Sequence, residues 1–371
     1  MDWKFFNLSE PKESKITVYN VENFYPSVAS IELTHKCNLK CLHCYGNYGG
    51  NRPTMSCENA KKLFRDLKQL GVKIVELTGG NITMNPQLNE ILLEAVSQNF
   101  QNVSLLTNGI WLSDEVCETI IKHKDNLYIQ IDLHSLDDDY LAWFTKATGT
   151  KEVIINKIKK LHAAGVEMRI ATIVTKRNLH EMETIADYVY DLGIKQYAVS
   201  QVINVGRALQ NENTDRDLLL DTDELVIEFF ETVRRINDKY KDFINLVEGT
   251  RYQSLFQNKP NCGCMTSNIS ITPKGEIKLC SMDTLEYTSK RFGNVFDKNI
   301  REIYDEKKDI LLELVNLERP RLQSEECKEC NLRGFCQGCI LRGVIGAKEK
   351  GEMCKWYTNK VSKKLKQTLL S

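Results

Sequence analysis

Three cysteines on one short stretch, Cys37-x3-Cys41-x2-Cys44, and eight more between Cys262 and Cys354 account for eleven of the 13 cysteines in this chain of 371 residues. Deprotonated thiols at close spacing are ligands for zinc or for iron–sulfur clusters. Three thiolates on one loop suit a [4Fe–4S] cube, because three corners are taken and one iron stays open to the donor atoms of a small molecule. The competing reading is a zinc site completed by His35 or His43, although zinc sites prefer paired Cys-x2-Cys units. Both histidines can equally be packing residues of the loop. The second group comprises Cys262, Cys264, Cys280, Cys327, Cys330, Cys336, Cys339 and Cys354. Eight thiolates are enough for two further clusters, which brings the count to three.

The totals frame that chemistry. Fifty basic and 50 acidic residues cancel to a formal charge of zero, so a nucleic-acid partner has no electrostatic support. No apolar run is long enough to cross a membrane, and Met1-Asp2-Trp3-Lys4 does not open a secretory signal. A cytoplasmic, non-membrane protein is expected. In a reducing compartment clustered cysteines read as metal ligands rather than as disulfides.

Alternating strand and helix patterns must position these residues. Ala29–Thr34 is an apolar strand that feeds the first cysteine loop, and Ser56 caps a helix with Ala60, Leu63, Phe64, Leu67 and Leu70 on its apolar face, closed by Gly71. Strands are expected at Ile74–Thr78, Val103–Leu106, Leu127–Leu133, Val166–Val174 and Gln196–Val202, each followed by a helical pattern. Six strand–helix units predict an α/β fold with a parallel sheet, and six are too few to close an eight-stranded barrel. A partial (β/α)6 TIM-like barrel over residues 28–240 is therefore expected, after a short extension, 1–27. Cys37–Cys44, Gly79–Asn81, Asn108 and Asp132 all fall at the C-terminal ends of its strands, where ligands gather in such folds. Beyond residue 240 the pattern changes. Ile269–Leu279 alternates, turns at Pro273-Lys274-Gly275 and alternates again, which predicts a β-hairpin within a cysteine-rich second domain, 241–371, that also holds short helices. Cys57 and Cys117 lie in helical patterns away from both groups and read as packed, inert thiols.

The Cys37-x3-Cys41-x2-Cys44 spacing after the first strand of a partial barrel resembles the signature of the radical S-adenosylmethionine (SAM) enzymes, and the resemblance runs from about residue 28 to 354. It implies that SAM chelates the open iron, that one electron cleaves it to methionine and a 5′-deoxyadenosyl radical, and that this radical abstracts hydrogen from a substrate. Residue by residue, it implies that His43 packs beside adenine, that Gly79-Gly80-Asn81 holds the methionine amino group, and that Asp132 contacts the ribose. Asn108 joins them on the same rim. The family's segment after the second strand usually ends in glutamate. Asn81 can accept a hydrogen bond there without the charge. Gly206-Arg207-Ala208 is a shorter match.

The later cysteines resemble the SPASM extension of that superfamily, which binds two auxiliary [4Fe–4S] clusters. The resemblance implies that Cys262, Cys264, Cys280 and Cys339 hold the nearer cluster, and that Cys327, Cys330, Cys336 and Cys354 hold the farther one. Zinc knuckles, the alternative, want separable quartets, whereas these interleave. One departure is that two residues, not three, separate Cys336 from Cys339.

SPASM-bearing enzymes mostly modify peptides or proteins, so the expected activity is hydrogen abstraction from a ribosomal precursor peptide, with net oxidation or crosslinking. The expected partners are that peptide and an external one-electron donor of flavodoxin or ferredoxin type. Only about 27 residues precede the first strand, which leaves leader recognition to a separate protein, the barrel mouth or the SPASM face. An anaerobic sulfatase-type maturase is the alternative enzyme, with Asp283, three residues after Cys280, as candidate catalytic base. A non-catalytic iron–sulfur electron carrier is the alternative of another class. Tyr45 and Tyr48 are either substrate contacts or ordinary loop aromatics.

Overall fold

The computed structural model describes residues 25–211, 215–246, 261–283, 288, 291–350 and 353–370. The expected alternation is present as β1 (Val28–Thr34), α1 (Cys57–Leu70), β2 (Ile74–Gly79), α2 (Leu88–Ser97), β3 (Asn102–Thr107), α3 (Asp114–Lys122), β4 (Leu127–Asp132), α4 (Asp138–Thr145), α5 (Thr150–Ala163), β5 (Met168–Val174), α6 (Met182–Asp191), β6 (Tyr197–Gln201), α7 (Arg207–Asn211) and α8 (Asp223–Lys239). A further strand, β7 (Ile244–Leu246), follows, which the hydrophobic pattern did not announce. Then come β8 (Asn268–Ile271), β9 (Ile277–Lys278) and helices α9 (Ile300–Glu306), α10 (Lys308–Asn316), α11 (Arg333–Cys336), α12 (Ile340–Lys350), α13 (Lys355–Lys360) and α14 (Lys363–Leu370).

Local chemistry ends these elements where the sequence suggests. The Ser56 hydroxyl accepts from Asn59 N at 3.2 Å to open α1, and Gly71 closes it in the left-handed region. Ser113 caps α3 by accepting from Val116 N. Ala60, Leu63, Phe64, Leu67 and Leu70 are the buried face of α1, as their helical spacing requires. Cys57 and Cys117 are buried, and burial pushes both thiols up in pKa, so they stay protonated and inert.

The described residues fall into two compact units, one holding 38–47 and 105–246, the other 25–37, 48–104 and 261–370. Strands of the first run in the order β7-β6-β5-β4, and those of the second in the order β2-β1-β8-β9. In the first unit β4, β5, β6 and β7 pair in parallel, with Ile131 opposite Ile170, Ile170 opposite Tyr197 and Tyr197 opposite Ile244. In the second, Ala29 of β1 pairs in parallel with Val75 of β2 on one side and with Ile269 of β8 on the other. β8 and β9 form the expected antiparallel hairpin around Pro273-Lys274-Gly275. Its docking onto β1 is a pairing between distant parts of the chain that no local pattern encodes.

The strand faces carry the functional information. Along β4, Leu127, Ile129 and Ile131 are buried, while Tyr128, Gln130 and Asp132 on the other face stay partly open. Parallel strands are ordinarily apolar on both faces, so a polar face points to a ligand-facing surface.

Candidate functional site

Cys41 and Cys44 belong to the first unit and Cys37 to the second. In the first unit the residues between the thiols do the anchoring. Leu42 is buried against Tyr140, Phe144, Val202 and Ala208. Its N–H donates to Phe144 O at 2.8 Å, and Lys40 N donates to Thr145 O at 3.1 Å. Arg207 holds the same stretch from the β6 side: its N–H donates to Cys44 O at 2.9 Å, its Nη1 to Cys41 O at 2.9 Å and its Nε to Asn47 Oδ1 at 3.0 Å. Gly206 precedes it with φ +59°, and a Cβ there would overlap the Tyr45 carbonyl oxygen. The chain is thus fixed through its backbone, while the Cys41 and Cys44 thiols remain half-buried.

His43, between those thiols, stacks on Phe144 with ring centroids 4.7 Å apart and meets His134 edge-on at 5.3 Å. Its Nδ1 is buried with no hydrogen-bond partner among the described residues. Burial holds His43 well below the usual histidine range and lowers His134 to about 4, so both rings are neutral. His134 Nδ1 accepts from Ile173 N at 3.2 Å. On β4, Gln130 Nε2 donates to Asp132 Oδ1 at 3.1 Å, and Arg169 Nε holds Gln130 Oε1 at 2.7 Å. Burial raises Asp132 to about 6. Asn108 donates to Asn38 Oδ1 at 2.9 Å and accepts from Ile110 N at 3.1 Å, so its amide shapes the turn after β3.

In the second unit Cys37 follows β1, and the end of β2 packs on the strand that leads to it. Gly80 N donates to Thr34 O at 2.7 Å and Asn81 N to Lys36 O at 2.9 Å. A Cβ on Gly79 would overlap Thr34 O, and one on Gly80 would overlap Lys36 O. The close approach that these glycines permit is therefore to the chain itself. Asn81 is buried, with Nδ2 donating to Thr83 Oγ1 at 2.7 Å. Tyr48 is buried and donates its hydroxyl to Glu32 at 2.8 Å, which makes it a loop residue rather than a substrate contact.

The later cysteines form two neighbourhoods. The Cys264 thiol is hydrogen-bonded to Cys262, which draws Cys262 down to about 6 and Cys264 well up; Cys280 and Cys339 also act on Cys264 through their charge. Burial and the charges of Cys339 and Cys262 push Cys280 up in turn. A separate cavity of about 150 Å³ is lined by Cys327, Cys330, Cys336 and Cys354, together with Lys350 and Trp356. Lys350 Nζ lies 3.8 Å from Cys330 Sγ. Between Cys336 and Cys339 the chain reverses through two left-handed residues, Gln337 at φ +46° and Gly338 at φ +73°. This tight turn is how a two-residue spacing serves both neighbourhoods. Asp283 is buried, and its Oδ2 accepts from both Thr288 N, at 2.8 Å, and the Thr288 hydroxyl.

Sequence reasoning missed the His134 ring and the three-point grip of Arg207. The short Gly206-Arg207-Ala208 match was the only signal for the latter.

Residues 31–189 match the family model described as the radical SAM superfamily, and residues 262–331 match SPASM, described as an iron–sulfur cluster-binding domain. The second match includes Cys262 to Cys330 and stops before Cys336, Cys339 and Cys354. The antilisterial bacteriocin subtilosin biosynthesis protein AlbA of Bacillus subtilis is 31% identical over 338 residues, which is 90% of this chain and 72% of that protein. The sporulation killing factor maturation protein SkfB of the same organism is 27% identical over 239 residues, 64% of this chain and 56% of its own length. Among solved structures, Streptococcus suis SuiB bound to precursor peptide SuiA superposes with a TM-score of 0.69 at 18% identity, covering 89% of this chain and 76% of that one; it shares the fold. No helix among the described residues is long and apolar enough to cross a membrane. With the cysteine loop, the parallel α/β architecture and similarity to AlbA over most of both chains, this protein belongs to the radical SAM superfamily and carries a SPASM iron–sulfur domain.

Proposed function

We propose that this enzyme modifies a ribosomally made precursor peptide by SAM-dependent hydrogen abstraction, with net oxidation or crosslinking. The observation that carries this reading is the 31% identity to a subtilosin biosynthesis protein over 90% of the chain, with the complete three-plus-eight cysteine set present. Residues 28–240 are the radical SAM part and 241–371 the auxiliary-cluster part, after a short extension at 1–27.

The residues suit three [4Fe–4S] clusters. Cys37, Cys41 and Cys44 supply three thiolates and leave one iron for SAM. Cys262, Cys264, Cys280 and Cys339 are the donors of the nearer auxiliary cluster, and Cys327, Cys330, Cys336 and Cys354 those of the farther one. The chemistry of the first quartet supports this: burial and the neighbouring thiolate charges raise Cys264 and Cys280, so the four thiols cannot all ionise unless a cation neutralises them. The cavity lined by the second quartet supports the other assignment. When bound, the first cluster and SAM together supply a hydrogen-abstracting radical.

The chain's own residues bind and orient. His43, flat against Phe144 with an unsatisfied buried Nδ1, suits an adenine edge. Asp132 accepts the ribose hydroxyls, and Gln130 and Arg169 aim it. Gly79, Gly80 and Asn81 offer backbone and amide oxygens to the methionine amino group, with Asn108 on the next turn. Asp283 is the candidate base; its carboxylate holds Thr288 until a substrate proton competes for it. An external one-electron donor of flavodoxin or ferredoxin type supplies the electron, and a separate protein can present the leader.

The test is anaerobic incubation of the reconstituted, reduced full chain with SAM and a candidate peptide encoded beside it, read by mass spectrometry. A product lighter by two hydrogens for each bond formed supports the proposal. SAM cleavage with every such peptide unchanged contradicts it.

A further inference from the structure

Glu32 sits in the middle of β1, 1% exposed, in a role the catalytic account does not use. Its Oε1 accepts from Lys278 Nζ at 2.6 Å and from the Tyr48 hydroxyl at 2.8 Å, and its Oε2 lies 2.7 Å from His35 Nε2. Burial pushes this carboxyl up, but the His35 hydrogen bond and the Lys278 charge more than offset it and leave it below its usual range. The carboxylate is therefore ionised and can only accept, so His35 Nε2 carries the proton. Lys278 is as deeply buried, at 3% side-chain exposure.

Sheet register explains how the lysine arrives. Ser30 of β1 pairs with Ser270 of β8, and Ser270 pairs with Lys278 of β9. Paired residues share a face, so Lys278 and Glu32 lie on the same side of the sheet, with small serines between them. A buried ion pair is a poor source of stability, because desolvation offsets most of the attraction. Its best-attested use is to specify one arrangement over others. The partners here have telling addresses: His35 is two residues before Cys37, Tyr48 four after Cys44, and Lys278 two before Cys280.

We propose that Glu32 is a positioning residue whose carboxylate fixes both flanks of the first cysteine loop and the strand that feeds Cys280 in one register, and so holds Cys37, a donor of the SAM-binding cluster, at a set separation from Cys280, a donor of the nearer auxiliary cluster. This rests on the three-cluster reading above. The sequence gives no hint of it, since Glu32 and Lys278 are 246 residues apart.

The experiment compares wild type, Lys278→Met and the double variant Glu32→Gln/Lys278→Met as full, anaerobically reconstituted chains. Two readouts are taken: the dipolar coupling between reduced clusters by electron paramagnetic resonance, and hydrogen exchange over residues 28–37 and 276–280. Lys278→Met should lose the resolved coupling and exchange faster in both segments. The double variant leaves no uncompensated buried charge, so it should regain thermal stability without regaining the coupling. It also carries the test if the single variant does not fold. Coupling unchanged from wild type in either variant, or recovered along with stability in the double, overturns the proposal. Failure of the wild type to cleave SAM would sink the proposed function instead, and the exchange comparison would still decide the role of Glu32.

Discussion

In the first cysteine loop the protein grips the backbone that carries Cys41 and Cys44; in the C-terminal segment cysteine side chains gather around a buried Cys264 and around one cavity. Cys41 and Cys44 are held through their carbonyl oxygens by Arg207, with Leu42 buried between them. Cys264 is buried and interacts with three other thiols, and Cys327, Cys330, Cys336 and Cys354 line one cavity. Three thiolates leave one iron of a cube open to a ligand, whereas four fill the positions of their cluster. Cofactor activation and electron storage ask for these two geometries respectively.

The largest expected break in this contrast is Cys41→Ala. It should reduce 5′-deoxyadenosine formation from SAM to background while keeping the iron of both auxiliary clusters, as measured by chromatography and iron analysis. Cys330→Ala should do the reverse: SAM is still cleaved, one cluster's worth of iron is lost, and no modified peptide forms. Equal loss of cleavage from both would erase the distinction between the groups.

Gly206→Ala tests the backbone grip. The new Cβ would overlap Tyr45 O, and φ +59° already disfavours a side chain, so a destabilisation of about 2–4 kcal/mol is expected by thermal unfolding. Gly71→Ala, a left-handed helix cap with no heavy atom near the added Cβ, should cost only about 1 kcal/mol.

The smallest effect concerns Asp132. Its folded pKa, about 6, exceeds the ordinary 3.8, so the folded chain holds this proton more tightly and loses stability as pH rises through that window. In the ribose-accepting role proposed for it, the ionised carboxylate would be the better acceptor. SAM affinity should therefore be full above about 6 and fall about fivefold as pH drops through it, since an ionised acceptor is worth roughly 1 kcal/mol more than a neutral one. Asp132→Asn should flatten that dependence in titration calorimetry.

What the sequence conveyed follows from range. Ser56, Gly71 and Ser113 act on residues a few positions away, and the cysteine spacings are local, so caps, strands and donor sets were legible. The three-residue β7 is too short for a periodic signal. Arg207 reaches Cys41 across 166 residues, and β8 joins β1 from the far end of the chain, so neither could be seen without the fold. The glycines at the end of β2 were legible as part of a ligand-holding segment, but not as a close approach to the protein's own backbone.

The central claim is one open cluster and two closed ones, and iron-57 Mössbauer spectroscopy of the anaerobically reconstituted chain with and without SAM tests it most directly. The account predicts about twelve irons per chain, with SAM shifting the signal of a single iron, and that shift absent from a Cys37→Ala/Cys41→Ala/Cys44→Ala variant that keeps about eight. A SAM-induced shift that survives in the triple variant, or none in the wild type, would contradict it.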